Sequence, residues 1–78
     1  MNNLKDRLVK AGFTVKDSPR GGGMVTAGVG DVPRLRSITD EVYGPTKHTG
    51  PPIFWWKAGE TQASLIIHGN ESRLYFAE

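Results

Sequence analysis

Residues 53–57, 62–68 and 72–77 hold both tryptophans and two of the three phenylalanines of this 78-residue chain. Turn-forming stretches at 58–61 (Ala-Gly-Glu-Thr) and 69–71 (Gly-Asn-Glu) separate them, so the three runs read as consecutive antiparallel strands joined by hairpins. Successive side chains of a strand point to opposite faces of its sheet, and the adjacent Trp55 and Trp56 therefore cannot share one core. That pair sets the register of the whole segment. With Trp56 inward, Phe54, Ala63, Leu65, Ile67, Leu74 and Phe76 complete a wholly apolar layer. The opposite face then receives Ile53, Trp55, Lys57, Ser64, Ile66, His68, Arg73 and Tyr75, a mixture of aromatic, aliphatic and basic side chains that is unusual for a plain solvent surface.

An apolar layer needs a cover, and the first half of the chain supplies two amphipathic helices. Asn3 suits an N-cap, Asp6 falls in a first turn where the helix dipole favours an anion, and Leu4, Leu8 and Ala11 recur at helical spacing, with Val9 widening the stripe. Gly12 ends this helix by taking the left-handed position after its cap. Phe13, Thr14, Val15 and Lys16 then alternate as a strand. Residues 17–23 are turn-forming throughout and lead into a second strand at 24–29, a hairpin with a long, mobile loop. Gly28 and Gly30 weaken that strand and place it at or near a sheet edge. Asp31 and Pro33 open a second helix over 33–43, with Leu35, Ile38 and Val42 facing inward, and Gly44 and Pro45 close it. Residues 44–52, with three prolines and two glycines, form a surface loop. The order α-β-β-α-β-β-β describes an α+β fold, a single small domain over residues 1–78 whose mostly antiparallel sheet carries the helices on one face.

At this length one core leaves only a few kcal/mol of net stability. With no cysteine in the chain, neither a disulfide nor a thiolate zinc site reinforces it. The N-terminus runs directly into a mixed-charge helix with no apolar leader, and no stretch approaches the roughly 18 apolar residues of a membrane span. A soluble cytoplasmic protein with no membrane association is therefore expected. The net charge of +2 is unevenly spread, with seven Lys/Arg and three Asp in residues 1–36 against three Lys/Arg and five Asp/Glu in residues 37–78. A basic front half can sit against phosphate or an acidic protein surface, although solvated charges on a helix are the commoner meaning of such a bias.

Catalytic chemistry finds no concentrated constellation. Gly21, Gly22 and Gly23 could cradle a phosphate through free amides, yet no Gly-Lys-Ser/Thr follows and no helix begins there, so a flexible hairpin tip is the simpler reading. His48 and His68 lie twenty residues apart with no ligand at metal spacing, and His68 reads as the last residue of a strand. Asp40 and Glu41 are adjacent on a helix, diverge, and read as solvated charges. Neither a nucleophile elbow nor a pair of carboxylates on one strand occurs. No catalytic residue, cofactor or metal site is expected, and the chain reads as non-enzymatic.

The opening residues Leu4, Lys5, Asp6, Arg7, Leu8, Val9, Lys10, Ala11, Gly12, Phe13, Thr14 and Val15 resemble the start of HicA-type mRNA-interferase toxins. There a helix, an Ala-Gly-Phe turn and a β-hairpin lead to a catalytic histidine. Where that family has glycine, serine and then histidine, this chain has Gly21, Gly22, Gly23 and Met24, so the resemblance carries over no nuclease role and no family membership.

The outer sheet face is the strongest functional signal. A minor cluster of Trp55, Ile66 and Tyr75 covered by a neighbouring loop is the bland explanation. A protein-binding patch is the sharper one, because Trp, Tyr and Arg are over-represented at binding hot spots. On that reading Trp55, Lys57, Ile66, His68, Arg73 and Tyr75 contact a larger protein or protein complex, or a second copy of the chain as a homodimer. The chain would work as a small accessory or inhibitory protein of the phage or mobile-element type. Single-stranded nucleic acid is the alternative partner, with bases stacked on Trp55 and Tyr75 and with Lys57, His68 and Arg73 near phosphates.

Overall fold

The three C-terminal strands pair as their alternation requires. The computed structural model describes residues 4–19, 21–47, 50 and 52–77, and Asn3 and His48 lie outside them. Its elements are α1 (Leu4–Lys10), β1 (Lys16–Asp17), β2 (Gly23–Gly28), a 3₁₀ turn (Val29–Asp31), α2 (Val32–Tyr43), β3 (Ile53–Ala58), β4 (Thr61–His68) and β5 (Glu71–Phe76). All pairings are antiparallel, in the spatial order β1-β2-β5-β4-β3. The α-β-β-α-β-β-β order and the α+β class are those expected. What periodicity leaves open is the joint between the two halves, and β2 makes it by pairing with β5, Val25 opposite Leu74.

Both C-terminal hairpins close through two residues. Gly59 and Gly69 take the first central position at φ +63° and +64°, and among the described residues only glycines have positive φ, the pattern of type II′ turns whose twist matches that of the strands they join. The first hairpin differs from expectation. Residues 13–15 join no ladder and β1 is only two residues long. The cause lies in the end of α1, where Gly12 N–H donates to Val9 O (3.0 Å) and Phe13 N–H to Leu8 O (3.0 Å), a Schellman closure with Gly12 at φ +97°. Phe13 and Val15 are then spent on the core rather than on strand pairing. The loop after β1 is tight rather than long: Gly21 N–H donates to Ser18 O (2.9 Å) and Ser18 N–H to Gly22 O (2.9 Å).

One core cluster unites both helices with the inner face of the sheet: Leu4 and Leu8 from α1, Val32, Leu35 and Tyr43 from α2, and Val25, Phe54, Trp56, Ala63, Leu65, Leu74 and Phe76 from the strands. One expectation about the helices is corrected. Val9 is 54% exposed, because the narrow side of a seven-residue helix that meets the core is used up by Leu4 and Leu8. In α2 the fully buried line runs Val32, Leu35, Thr39 and Tyr43, and Ile38 and Val42, half-buried, pack against the same core as expected. Thr39 can go inside because its hydroxyl donates to Leu35 O (2.7 Å) and so keeps a partner in the dry core. Among the described residues no helix is long and apolar enough to cross a membrane.

Candidate partner-binding face

With both helices on the inner side, the outer side of the sheet is set by cross-strand register alone. One row runs Trp55, Ser64, Tyr75, Met24 and Lys16 across all five strands. A second runs Ile53, Ile66, Arg73 and Thr26, and His68 stands opposite Glu71 one row further on. Directly opposed side chains on adjacent strands are about 4.5–5.5 Å apart at Cβ, so each row is a continuous band. Ile53, Trp55, Ile66, Tyr75 and Met24 are outside the core cluster and do not pack against it; Ile53 is 44% exposed and the other four are half-buried.

The six residues singled out from the sequence all lie on this face. Ile66, His68, Arg73 and Tyr75 line one hollow of about 240 Å³. Trp55 sits on the same face one strand beyond Ser64, and Lys57 lies further along β3 opposite Gln62. Met24 belongs to the aromatic row and was not foreseen, since only the pairing of β2 with β5 brings it beside Tyr75. No signal in the sequence could have placed it there, because residues 24 and 75 are joined only through the fold.

Arg73 is the fixed cation of the hollow. A hydrogen bond with the Tyr75 side chain, the charge interaction with the same group, and then the nearby Glu71 carboxylate raise its pKa above the ordinary arginine value. It thus stays cationic across the whole working range, and its Nη2 lies 3.7 Å from Glu71 Oε2. Lys16 and Lys57 have no acidic partner at ion-pair distance among the described residues.

The outer edge of β3 is partly laced by the loop before it. Lys47 N–H donates to Trp55 O (2.8 Å) and Ile53 N–H to Gly50 O (3.2 Å). Lys47 and Gly50 therefore cover part of this edge and take up groups that an added strand would need. What remains accessible around Trp55 is the face.

The other chemistry weighed from the sequence is placed as follows. Asp40 and Glu41 are not free solvated charges: Trp56 Nε1–H donates to Asp40 Oδ1 (2.7 Å) and Glu41 pairs with Arg7. The helical turn of α2 lays Asp40 over the Trp56 indole that the core has buried, and this could not be read from adjacency. Gly22 and Gly23 are structural rather than a loose tip: a side chain at Gly22 would meet the Phe76 carbonyl oxygen, and one at Gly23 the Phe76 ring. Among the described residues no group of three or more His, Asp and Glu is placed to hold a metal ion. The groove between the helices, about 670 Å³ and lined by Asp6, Arg7, Lys10, Ala11 and Ile38, is the main competing surface, with Arg7 already engaged by Glu41. Comparison with protein-family models, curated proteins and solved structures finds no match to this chain.

Proposed function

We propose that the chain is a non-enzymatic binding protein of the cytoplasm that acts by occupying the surface of a larger protein, in the manner of a small accessory or inhibitory protein, with the outer sheet face as its working surface. The observation that carries this reading is the row Trp55, Ser64, Tyr75 and Met24, which lies on the side of the sheet away from both helices and apart from the core cluster. Met24, Trp55, Ile66 and Tyr75 are half-buried and Ile53 is exposed, so the band is left partly open to solvent by the chain's own elements, and aromatic patches of that kind tend to be covered by a partner.

The test uses immobilised wild-type chain and the variants Trp55→Ala and Tyr75→Ala, with Val9→Asp as a control for an exposed apolar residue on the helical side. Proteins from an extract of the native host are captured on each and identified by mass spectrometry. A partner retained by wild type and Val9→Asp but lost by both face variants is the expected outcome. Equal retention by all four chains would move attention to the helical side, where Lys5, Arg7 and Lys10 are the residues to reverse next. A retained species that is single-stranded nucleic acid, released steeply as salt rises, would favour the alternative instead.

A further inference from the structure

The charge pattern around the aromatic row carries a statement about what the partner must present, and it rests on the reading of the outer face given above. On the outward register positions of the described strands, Lys16, Lys57 and Arg73 are cationic and Glu71 is the sole anion. Their placement is ordered. Lys16 ends the row that begins at Trp55, a span of four strand spacings or roughly 19 Å. Lys57 flanks Trp55 two residues along β3, and Arg73 lies between, in the hollow with Ile66, His68 and Tyr75. The face is thus an apolar and aromatic band with a cation at each end and one in its middle.

We infer that the partner surface is acidic: one or two apolar side chains seated against Trp55, Tyr75 and the Ile66 hollow, flanked by carboxylates that reach Arg73, Lys57 and Lys16. Two other occupants fit less well. A second copy docked face to face by a two-fold axis would set this cationic surface against itself, and like charges at an interface oppose association. Nucleic acid draws its affinity from many phosphate neutralisations, on the order of 6 to 10 in a typical complex, and the face offers three fixed cations. A carboxylate-bearing protein surface needs only a few. Arg73, half-exposed in the hollow beside Tyr75 and Glu71, is within reach of one, and its planar guanidinium offers the paired N–H donors that a carboxylate takes.

The experiment is a titration of the full, isotope-labelled chain followed by amide chemical shifts. The probes are a short peptide alternating Glu with Phe, its counterparts with Gln or Lys in place of Glu, and a thymidylate oligomer. The Glu peptide should shift Trp55, Ile66, Arg73 and Tyr75 and bind about tenfold tighter than the Gln peptide, as a few partly exposed ion pairs would give. The double variant Lys57→Glu, Arg73→Glu, whose remaining amide spectrum reports that it is folded, should reverse that preference toward the Lys peptide. Equal binding of Glu and Gln peptides on this face would overturn the inference while leaving the outer face as an apolar docking surface. Tighter binding of the Lys peptide or the oligomer overturns it as well, as does the absence of any shift. Shifts confined to Asp6, Arg7, Lys10 and Ile38 would overturn both this inference and the reading it rests on.

Discussion

Gly22 stands at φ +79°, with the Phe76 carbonyl oxygen where a β-carbon would be, and Gly23 faces the Phe76 ring in the same way. Backbone oxygen cannot step aside as a long side chain can, so Gly22→Ala meets both a disfavoured dihedral and a collision. The expected cost is about 2 to 4 kcal/mol, large for a chain of this size, measured as a shift in the denaturant midpoint with unchanged slope. Gly21, at φ +89° with open space around it, should cost less, since only the dihedral is at stake. Equal tolerance of alanine at both positions would show that the close approach to Phe76 is not a constraint. From the sequence the triglycine reads as flexibility, because glycine permits mobility and tight packing alike. Which of the two applies depends on a residue 54 positions away, Phe76, that the fold places against it.

Among the elements, the tertiary arrangement revises the first hairpin most. The turn after β1 is hydrogen-bonded at Ser18 and Gly21, and Ser18 is buried. Its amides should therefore exchange more slowly than those of Thr14 and Val15, which join no ladder, though faster than Leu65 and Leu74 in the central strands. Exchange at Ser18 as fast as at Thr14 would contradict that closure. Helix α2 carries a related lesson: Arg34 donates to Ala11 O (2.7 Å) with its guanidinium 4.9 Å above the Phe13 ring, so one basic side chain ties the start of α2 to the end of α1. Charge counting along the chain treats Arg34 as part of a basic half. Its role is set by what lies under it.

At the scale of the whole molecule, the two tryptophans provide the sharpest contrast. Trp56 is fully buried and its indole N–H is taken by Asp40, so Trp56→Ala removes the largest core side chain and leaves a carboxylate without its donor. It should cost about 3 to 5 kcal/mol and leave little folded chain. Trp55→Ala, one residue away, should cost about 1 kcal/mol through lost cross-strand contact, a fall in Tm of about 4 to 8 °C. Similar melting of the two variants in calorimetry would mean that both rings serve the core. Much of this was legible in the chain itself. Alternation over residues 53–57, 62–68 and 72–77 sets the inward and outward residues, because a strand has only two faces and the apolar set must take one. Turn chemistry at Gly59 and Gly69 sets the hairpins, because only glycine takes positive φ without cost. Membership of the candidate face for Trp55, Lys57, Ile66, His68, Arg73 and Tyr75 follows from the same local periodicity. The pairing of β2 with β5, the arrival of Met24 beside Tyr75, the burial of Thr39, the lacing of β3 by its preceding loop and the bond from Trp56 to Asp40 needed the folded molecule. Each joins residues distant in the chain, and contacts of that kind are chosen by the packing of the whole core, which no local pattern encodes.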